Sequence, residues 1–326
     1  IVVQGGTAVI TNSTINDINN SAVYIAKSNT MEADVTLEGV NITQCGAYGI
    51  QMDSANNITT TVNSVTIDKA ASGITFAGGT LTIDEFAITG TAKSVHVNGA
   101  TTLTGKVNFV PTSYAEDTAI VTKKDSVSED VLAAVSALVE IAPDANGDAW
   151  FVNSSGLLTK AYAKVGDTFY TSFADALSNA VENDTITLYE NVAVSETIAI
   201  DKNLTFTSNK AVEIVGDVNG AHLFNVLSGK TFYITGASET AKITVKKDAT
   251  NNVINNSGTT QLMNVVIDGG RLGINNASGT LNVENAVVKN TSNKGVAIAG
   301  GNVTIKSSVI QDTGASGIFI YSNTKT

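Results

Sequence analysis

The chain holds a single arginine, Arg271, in the segment IDGGRLG, with Asp268 three residues before it. An arginine beside an acid could take a proton from a substrate. It could equally be a solvent-facing ion pair or a corner residue, which needs no further partner. A second oxygen-rich set, Asp144, Asn146 and Asp148 in DANGD, partly matches the opening of an EF-hand loop. Calcium is the cation such a set would hold, although the rest of the loop spacing and the distal bidentate Glu are missing. His96 in VHVNG and His222 in AHLFN lie far apart, and neither has a second ligand at metal-binding spacing. Strand alternation turns His96 away from Val95 and Val97, towards the surface. Cys45 in NITQCG is the only cysteine, so no intramolecular disulfide forms. It reads as a small buried hydrophobe, with a reactive thiol as the sharper alternative. Asp175, Glu182, Asp184 and Glu190 crowd one stretch and read as solvated charge. No catalytic residue and no cofactor site is assigned, and calcium at Asp144, Asn146 and Asp148 is the one metal candidate.

The elements that must position these residues are legible in composition and period. Of 326 residues, 15% are charged and 43% hydrophobic, enough to fill a core. The net charge of −11 argues against a nucleic-acid partner, which requires a concentrated basic face. No apolar run is long enough to span a bilayer, so no membrane insertion is expected in this segment. A secretory leader, if there is one, lies upstream of Ile1.

Apolar pairs five residues apart recur every 21 to 30 residues: Ile10/Ile15, Leu37/Ile42, Val62/Ile67, Ile83/Ile88, then Leu262/Ile267, Val283/Val288 and Ile305/Ile310. Short alternating segments follow them, among them Val23/Ile25, Ile50/Met52, Ile74/Phe76, Val95/Val97, Val296/Ile298 and Ile318/Ile320. Gly, Asn, Asp and Ser separate the segments, as tight corners demand. Two or three short strands per repeat are too few for a propeller blade, and the period is wrong for helical repeats. An all-β, right-handed parallel β-helix solenoid remains, each coil pairing with the next.

The middle of the chain interrupts this period. SVSEDVLAAVSALVEI predicts a helix with Ser126 and Glu129 as a capping box and Val131, Val135 and Leu138 on one face. A short hairpin is expected in DAWFVNSSGLLTKAYAKVG. A second helix is expected in TSFADALSNAVEND, capped by Thr171 or Ser172, with Phe173, Leu177 and Val181 as its apolar stripe. An open β-helix end exposes core and strand edges, so both helices are read as caps. The expected organisation is coils over 1–110, a closing cap and linker over 111–164, an opening cap and first strands over 165–200, and further coils over 201–326.

The stretch AKVGDTFYTSFADALSNAVENDTITLYENVAVSETIAIDKNLTFTSN resembles the opening segment of the right-handed β-helix regions of large repetitive bacterial surface adhesins. The flanking repeats resemble pectate-lyase-like coils. The resemblance implies an extracellular protein anchored to a bacterial or archaeal cell surface, partnered by neighbouring modules end to end and by a glycan or host-surface ligand. Polysaccharide lyases and hydrolases share the fold, and the lyases use clustered carboxylates, calcium and an Arg or Lys base. Paired Asp-Asp steps and a Gly-His-Gly turn are absent here. A non-catalytic structural or adhesive rod is therefore the leading expectation. A β-helix lyase or glycoside hydrolase is the alternative, and a phage tailspike or fibre fragment the third reading. The first and last thirty residues also match: Gly5-Gly6 with Gly300-Gly301, Ile10 with Ile305, Ser13 with Ser308, Ile15 with Ile310, Asp17 with Asp312 and Ser21 with Ser316. Ser28-Asn29-Thr30 matches Ser322-Asn323-Thr324 after a slip of one residue. This predicts a long tandem period of about 295 residues.

Overall fold

The computed structural model describes residues 1–26, 30–54, 57–91, 93–99, 102–218 and 220–321. The match of Ser28-Asn29 to Ser322-Asn323-Thr324 lies outside the described residues. The chain divides into two compact units, Ile1–Lys160 and Ala161–Thr326, each with its own apolar core.

In the second unit three sheets run side by side along a stack of coils, parallel throughout except at one edge, where Ala163–Val165 pairs antiparallel with Thr168–Tyr170 and Asp184–Leu188. Each coil gives one strand to each sheet, and neighbouring coils pair residue for residue. One inward ladder is Ile186, Phe206, Ile234, Leu262, Val283 and Ile305. A second is Val192, Ile214, Val245, Ile267, Val288 and Ile310. The third is Ile198, Phe224, Ile254, Ile274, Val296 and Ile318. The first unit repeats the plan with ladders Ile10–Leu37–Val62–Ile83, Ile15–Ile42–Ile67–Ile88–Phe109 and Val23–Ile50–Ile74–Val95–Val121. Both units are parallel β-helices, as the period of paired apolar residues requires.

The spacing of five has a specific cause. Five is odd, so in an unbroken strand the two members of a pair would face opposite ways. Two residues after the first member the backbone enters the left-handed region: Asn12 (φ 46°), Ser64 (49°), Glu85 (51°), Asn264 (54°), Asn285 (48°) and Ser307 (49°). The same occurs two residues after the second member, at Asp17 (59°), Gln44 (54°), Lys69 (57°), Asn290 (55°) and Asp312 (51°). Each left-handed residue reverses the alternation and turns the corner, so both members of a pair point inward. Asn and Asp tolerate this conformation best after Gly, which explains their frequency here.

Two polar matches between the first and last coils sit at corners. Asp17 and Asp312 are both left-handed corner residues. Ser13 and Ser308 each donate a hydroxyl to the carbonyl two residues earlier, Thr11 at 2.7 Å and Lys306 at 2.8 Å. The other coils carry Val40, Val65, Phe86, Val265 and Ala286 in place of the serine, and Gln44, Lys69, Gly90, Gly269 and Asn290 in place of the aspartate, so these two matches are shared by the first and last coils and not imposed by the coil plan.

The two helices depart from the sequence reading at their ends. The first, α1, spans Glu129–Ser136, and its cap is Ser128, whose Oγ accepts the Val131 N–H. The Ser126–Glu129 capping box does not form, because Val127 is buried and pulls the turn inward just before the helix. The buried face is Leu132, Val135 and Ser136, with Val131 and Leu138 only partly covered. The second, α2, spans Phe173–Asn179 with Ser172 as cap. Phe173 and Ala176 are buried, whereas Val181 lies past the helix end and is 63% exposed. Phe173 packs edge-on against Phe206 at 5.5 Å, and Phe206 in turn meets Phe232 at 5.0 Å. That aromatic stack seats α2 on the first coils of the second unit. The expected hairpin is present as Trp150–Val152 against Leu158–Lys160.

Candidate functional site

The structure does not join Arg271 to Asp268. Arg271 is exposed, while Asp268 accepts from Asn290 Nδ2 at 2.8 Å and pairs with Lys289 at 3.6 Å, both one coil further on. Asp144, Asn146 and Asp148 do share one turn, but their carboxylates face internal partners. Asp144 accepts the backbone N–H groups of Asn146 (2.9 Å) and Asp148 (3.0 Å) and Trp150 Nε1–H (3.2 Å). Burial works to raise its pKa, yet these donors hold it below the usual carboxylate value. Asp148 pairs with Lys160 at 2.6 Å. The segment is therefore built as a self-capped turn that anchors the closing hairpin.

His96 is half-buried on the outer face, in line with Thr75 and Thr122 of the adjoining coils. Its Nε2 lies 3.1 Å from Asn98 Oδ1 and its Nδ1 2.8 Å from Thr122 Oγ1. Asn98 Nδ2 donates to Thr75 Oγ1 at 3.0 Å, so Oδ1 is free to accept from the imidazole. This fixes the Nε2–H tautomer, with Nδ1 accepting the Thr122 hydroxyl. Burial lowers the His96 pKa, with Lys93 adding to the effect against the Asn98 bond. His222 is also lowered, first by burial and then by Lys247, and its Nδ1 is buried without a partner. Burial raises the Cys45 thiol, and Sγ lies 3.9 Å from the Thr43 carbonyl. A thiol held protonated in this way behaves as a small hydrophobe.

The acids around α2 serve local structure. Asp175 accepts the Ser172 hydroxyl at 2.6 Å, and Asp184 accepts the Val181 N–H at 2.7 Å. Glu190 pairs with Lys210 and Glu182 with Lys230, each at 3.3 Å. The same use recurs along both stacks. Glu85 accepts from Ser64 at 2.6 Å, Asp68 from Thr89 at 3.0 Å, Asp53 from Tyr24 at 2.7 Å, and Glu284 pairs with Lys306 at 2.6 Å. Each of these bonds joins one coil to the next.

Two polar ladders were not picked out from the sequence. Asn275 Nδ2 donates to Asn255 Oδ1 (2.8 Å), and Asn255 Nδ2 to Asn225 Oδ1 (2.9 Å), on the outer face. Inside, the fully buried Asn256 donates to Asn276 Oδ1 (2.6 Å) and the Thr280 carbonyl (3.0 Å), and accepts from Gly258 N–H and Thr260 Oγ1. The available signal was Asn-Asn at matching coil positions, 255–256 and 275–276. Lys247 is likewise buried, its ammonium held by the Val218 carbonyl (3.0 Å), Asp248 and Thr250 Oγ1 (3.2 Å). Two concavities stand out. One, about 660 Å³, opens between α2 and the first-coil segment 191–199. The other, about 360 Å³, lies beside His96. Among the described residues no cluster of three His, Cys, Asp or Glu side chains could hold a metal ion, and no helix is long and apolar enough to cross a membrane.

A family model described as "Right handed beta helix region" matches residues 1–110. The fold is a right-handed parallel β-helix. The match covers about a third of the chain, and the second unit repeats the same coil plan by its own strand register. Neither the curated proteins nor the solved structures give a match to the chain.

Proposed function

We propose that this chain is a non-catalytic structural and adhesive module of a repetitive extracellular surface protein. The single observation that carries this reading is how the outer acids are used. Asp53, Asp68, Glu85, Glu190, Asp268 and Glu284 each bond to a side chain of an adjoining coil. A hydrolase site requires two carboxylates that converge on the substrate and titrate against one another, and a lyase site requires carboxylates clustered about a cation. Here their acceptor capacity goes into stapling the stack, which favours a rod that presents its polar flank to a glycan or host protein.

Modules placed end to end belong to the same proposal. The last coil carries inward-ladder residues at high exposure, Ile318 at 49% and Ile320 at 70%. Further coils stacked on this face would cover them and pair its strand edges. Repetition would then multiply weak contacts through avidity. The adhesive part is tested by coating beads with the whole chain and measuring retention under flow on glycan- and matrix-protein-coated surfaces. Retention above uncoated beads on at least one surface supports it, and none on any surface overturns it.

A further inference from the structure

The cap of the second unit closes only one of its three sheets. The sheet that includes Asp184–Leu188 continues past that strand into the antiparallel Ala163–Val165 and Thr168–Tyr170, and α2 packs on these same strands. The other two sheets begin with Val192–Val194 and Ile198–Ile200, and among the described residues no strand pairs with their outer edges. Both bare edges lie along the groove of about 660 Å³ between α2 and the segment 191–199, which is lined wholly by residues of the second unit.

The register shows which backbone groups are left open. Along a strand, successive residues turn their N–H and C=O towards opposite edges. The Val194 carbonyl accepts from Asp217 N–H at 2.8 Å, Ile198 N–H donates to the Leu223 carbonyl at 2.9 Å, and the Ile200 carbonyl accepts from Leu227 N–H at 3.2 Å, all towards the next coil. The residues between them, Ala193 and Ala199, therefore each turn an N–H and a C=O to the groove. Both alanines are exposed, and Leu177 and Val194 line the same groove half-buried. Among the described residues lining it, Glu196 alone is charged.

These features specify an occupant. Open donors and acceptors on two strand edges call for an extended backbone, the apolar lining for apolar side chains at alternate positions, and Glu196 for a Lys or Arg. A second copy of the chain is disfavoured on charge, since each copy carries −11. We propose that this groove accepts an extended basic segment of another protein by strand addition, following the coil from Val192 to Ile200 and pairing with Ala193 and Ala199. The assignment is independent of the adhesive reading and holds whether or not the chain retains beads on a surface.

The test is fluorescence anisotropy at fixed ionic strength, with the whole chain titrated into a labelled, acetylated peptide that alternates Val and Thr around a central Lys. N-methylation is then scanned along the peptide one residue at a time. It should weaken binding roughly five- to tenfold where the peptide N–H faces the edge and leave the immediate neighbours unchanged, the scale of one lost hydrogen bond. Ala193→Pro and Ala199→Pro remove N–H groups that point away from the coil stack, so each should weaken binding similarly while keeping the thermal transition. Glu196→Lys should weaken binding of this peptide and favour the version with Glu in place of Lys. Any of these results overturns the proposal: no binding up to about 1 mM, equal losses at every methylated position, or unchanged affinity in the proline variants or in Glu196→Lys. Self-association of the free chain that the proline substitutions abolish also overturns it, because the groove then belongs to a second copy. Should the proline variants fail to fold, the methylation scan and Glu196→Lys decide.

Discussion

Replacing Phe206 by Ala tests the aromatic stack that joins α2 to the coils of the second unit. Phe206 is fully buried and meets Phe173, Phe232 and Phe224 at 5.5, 5.0 and 6.0 Å. A buried Phe removes roughly 150–250 Å² from water, and at about 25 cal/mol per Å² this sets an upper range of roughly 4–6 kcal/mol. Buried Phe→Ala changes measured in other cores cost about 3–5 kcal/mol, so about 4 kcal/mol is expected here. With a urea slope of about 2 kcal/mol/M, the midpoint of the transition that reports the second unit should fall by about 2 M. The assay is urea unfolding of the whole chain followed by far-UV circular dichroism. Phe206→Leu should fall by only about 0.5 M, because most of the volume is kept. A double-mutant cycle with Phe173→Ala should return about 0.5–1.5 kcal/mol of coupling for the edge-on pair. A fall below about 0.5 M for Phe206→Ala, or zero coupling to Phe173, would refute the claim that this stack seats the cap.

Asn290→Val should cost about 1–3 kcal/mol in thermal or urea unfolding, because a β-branched residue must enter the left-handed region at φ 55°. Asn290→Gly should change stability by only a few tenths, which separates backbone strain from the lost bond to Asp268. Asn256→Ala should cost about 3 kcal/mol or more, since four polar partners inside the stack lose their bonds together. Stability should also fall on acidification in two stages. His96 and His222 are held below the ordinary histidine value, so the stability tied to their neutral forms is complete above about pH 6.5 and is lost as pH falls through their lowered values. Asp248 is held low, first by its bond from Lys247, so its share persists above about pH 4 and is lost below that. Lys247→Met should shrink the second stage at Asp248 to the part held by Thr250, as read from urea midpoints across pH.

The coil plan was readable because each inward position is fixed by an apolar ladder, and i, i+5 pairs mark the coils from Ile10 to Ile88 and from Leu262 to Ile310. The coils at Ile186/Val192, Phe206/Ile214 and Ile234/Val245 depart from that spacing. What the spacing concealed was its cause. A left-handed corner residue can be Asn, Asp, Ser, Glu, Gln or Lys, as at Asn12, Ser64, Glu85 and Lys69, so no single residue type announces it. Helix ends were less legible, because Val127 is buried just ahead of α1 while Val181 lies exposed past the end of α2. Local pattern favoured Ser126 as a cap, and tertiary burial chose Ser128. Single acids such as Asp268 were legible as charges but not as staples. Their partners, Lys289 and Asn290, lie one coil away at a distance that varies with corner length. The cleft beside His96 arises from a difference of one residue between two coils, a signal that exists only once their register is known.

The central claim is that the outer carboxylates hold coil to coil and do not cleave a substrate. Its most direct test is prolonged incubation of the whole chain with a broad panel of acidic and neutral polysaccharides, with and without added calcium. Unsaturated uronide absorbance and new reducing ends are followed together. The account predicts no product above the heat-denatured control for any substrate. Steady, enzyme-proportional product from any one of them, lost when a single stapling acid such as Asp268 or Glu85 is changed to its amide in a variant that still folds, would contradict it.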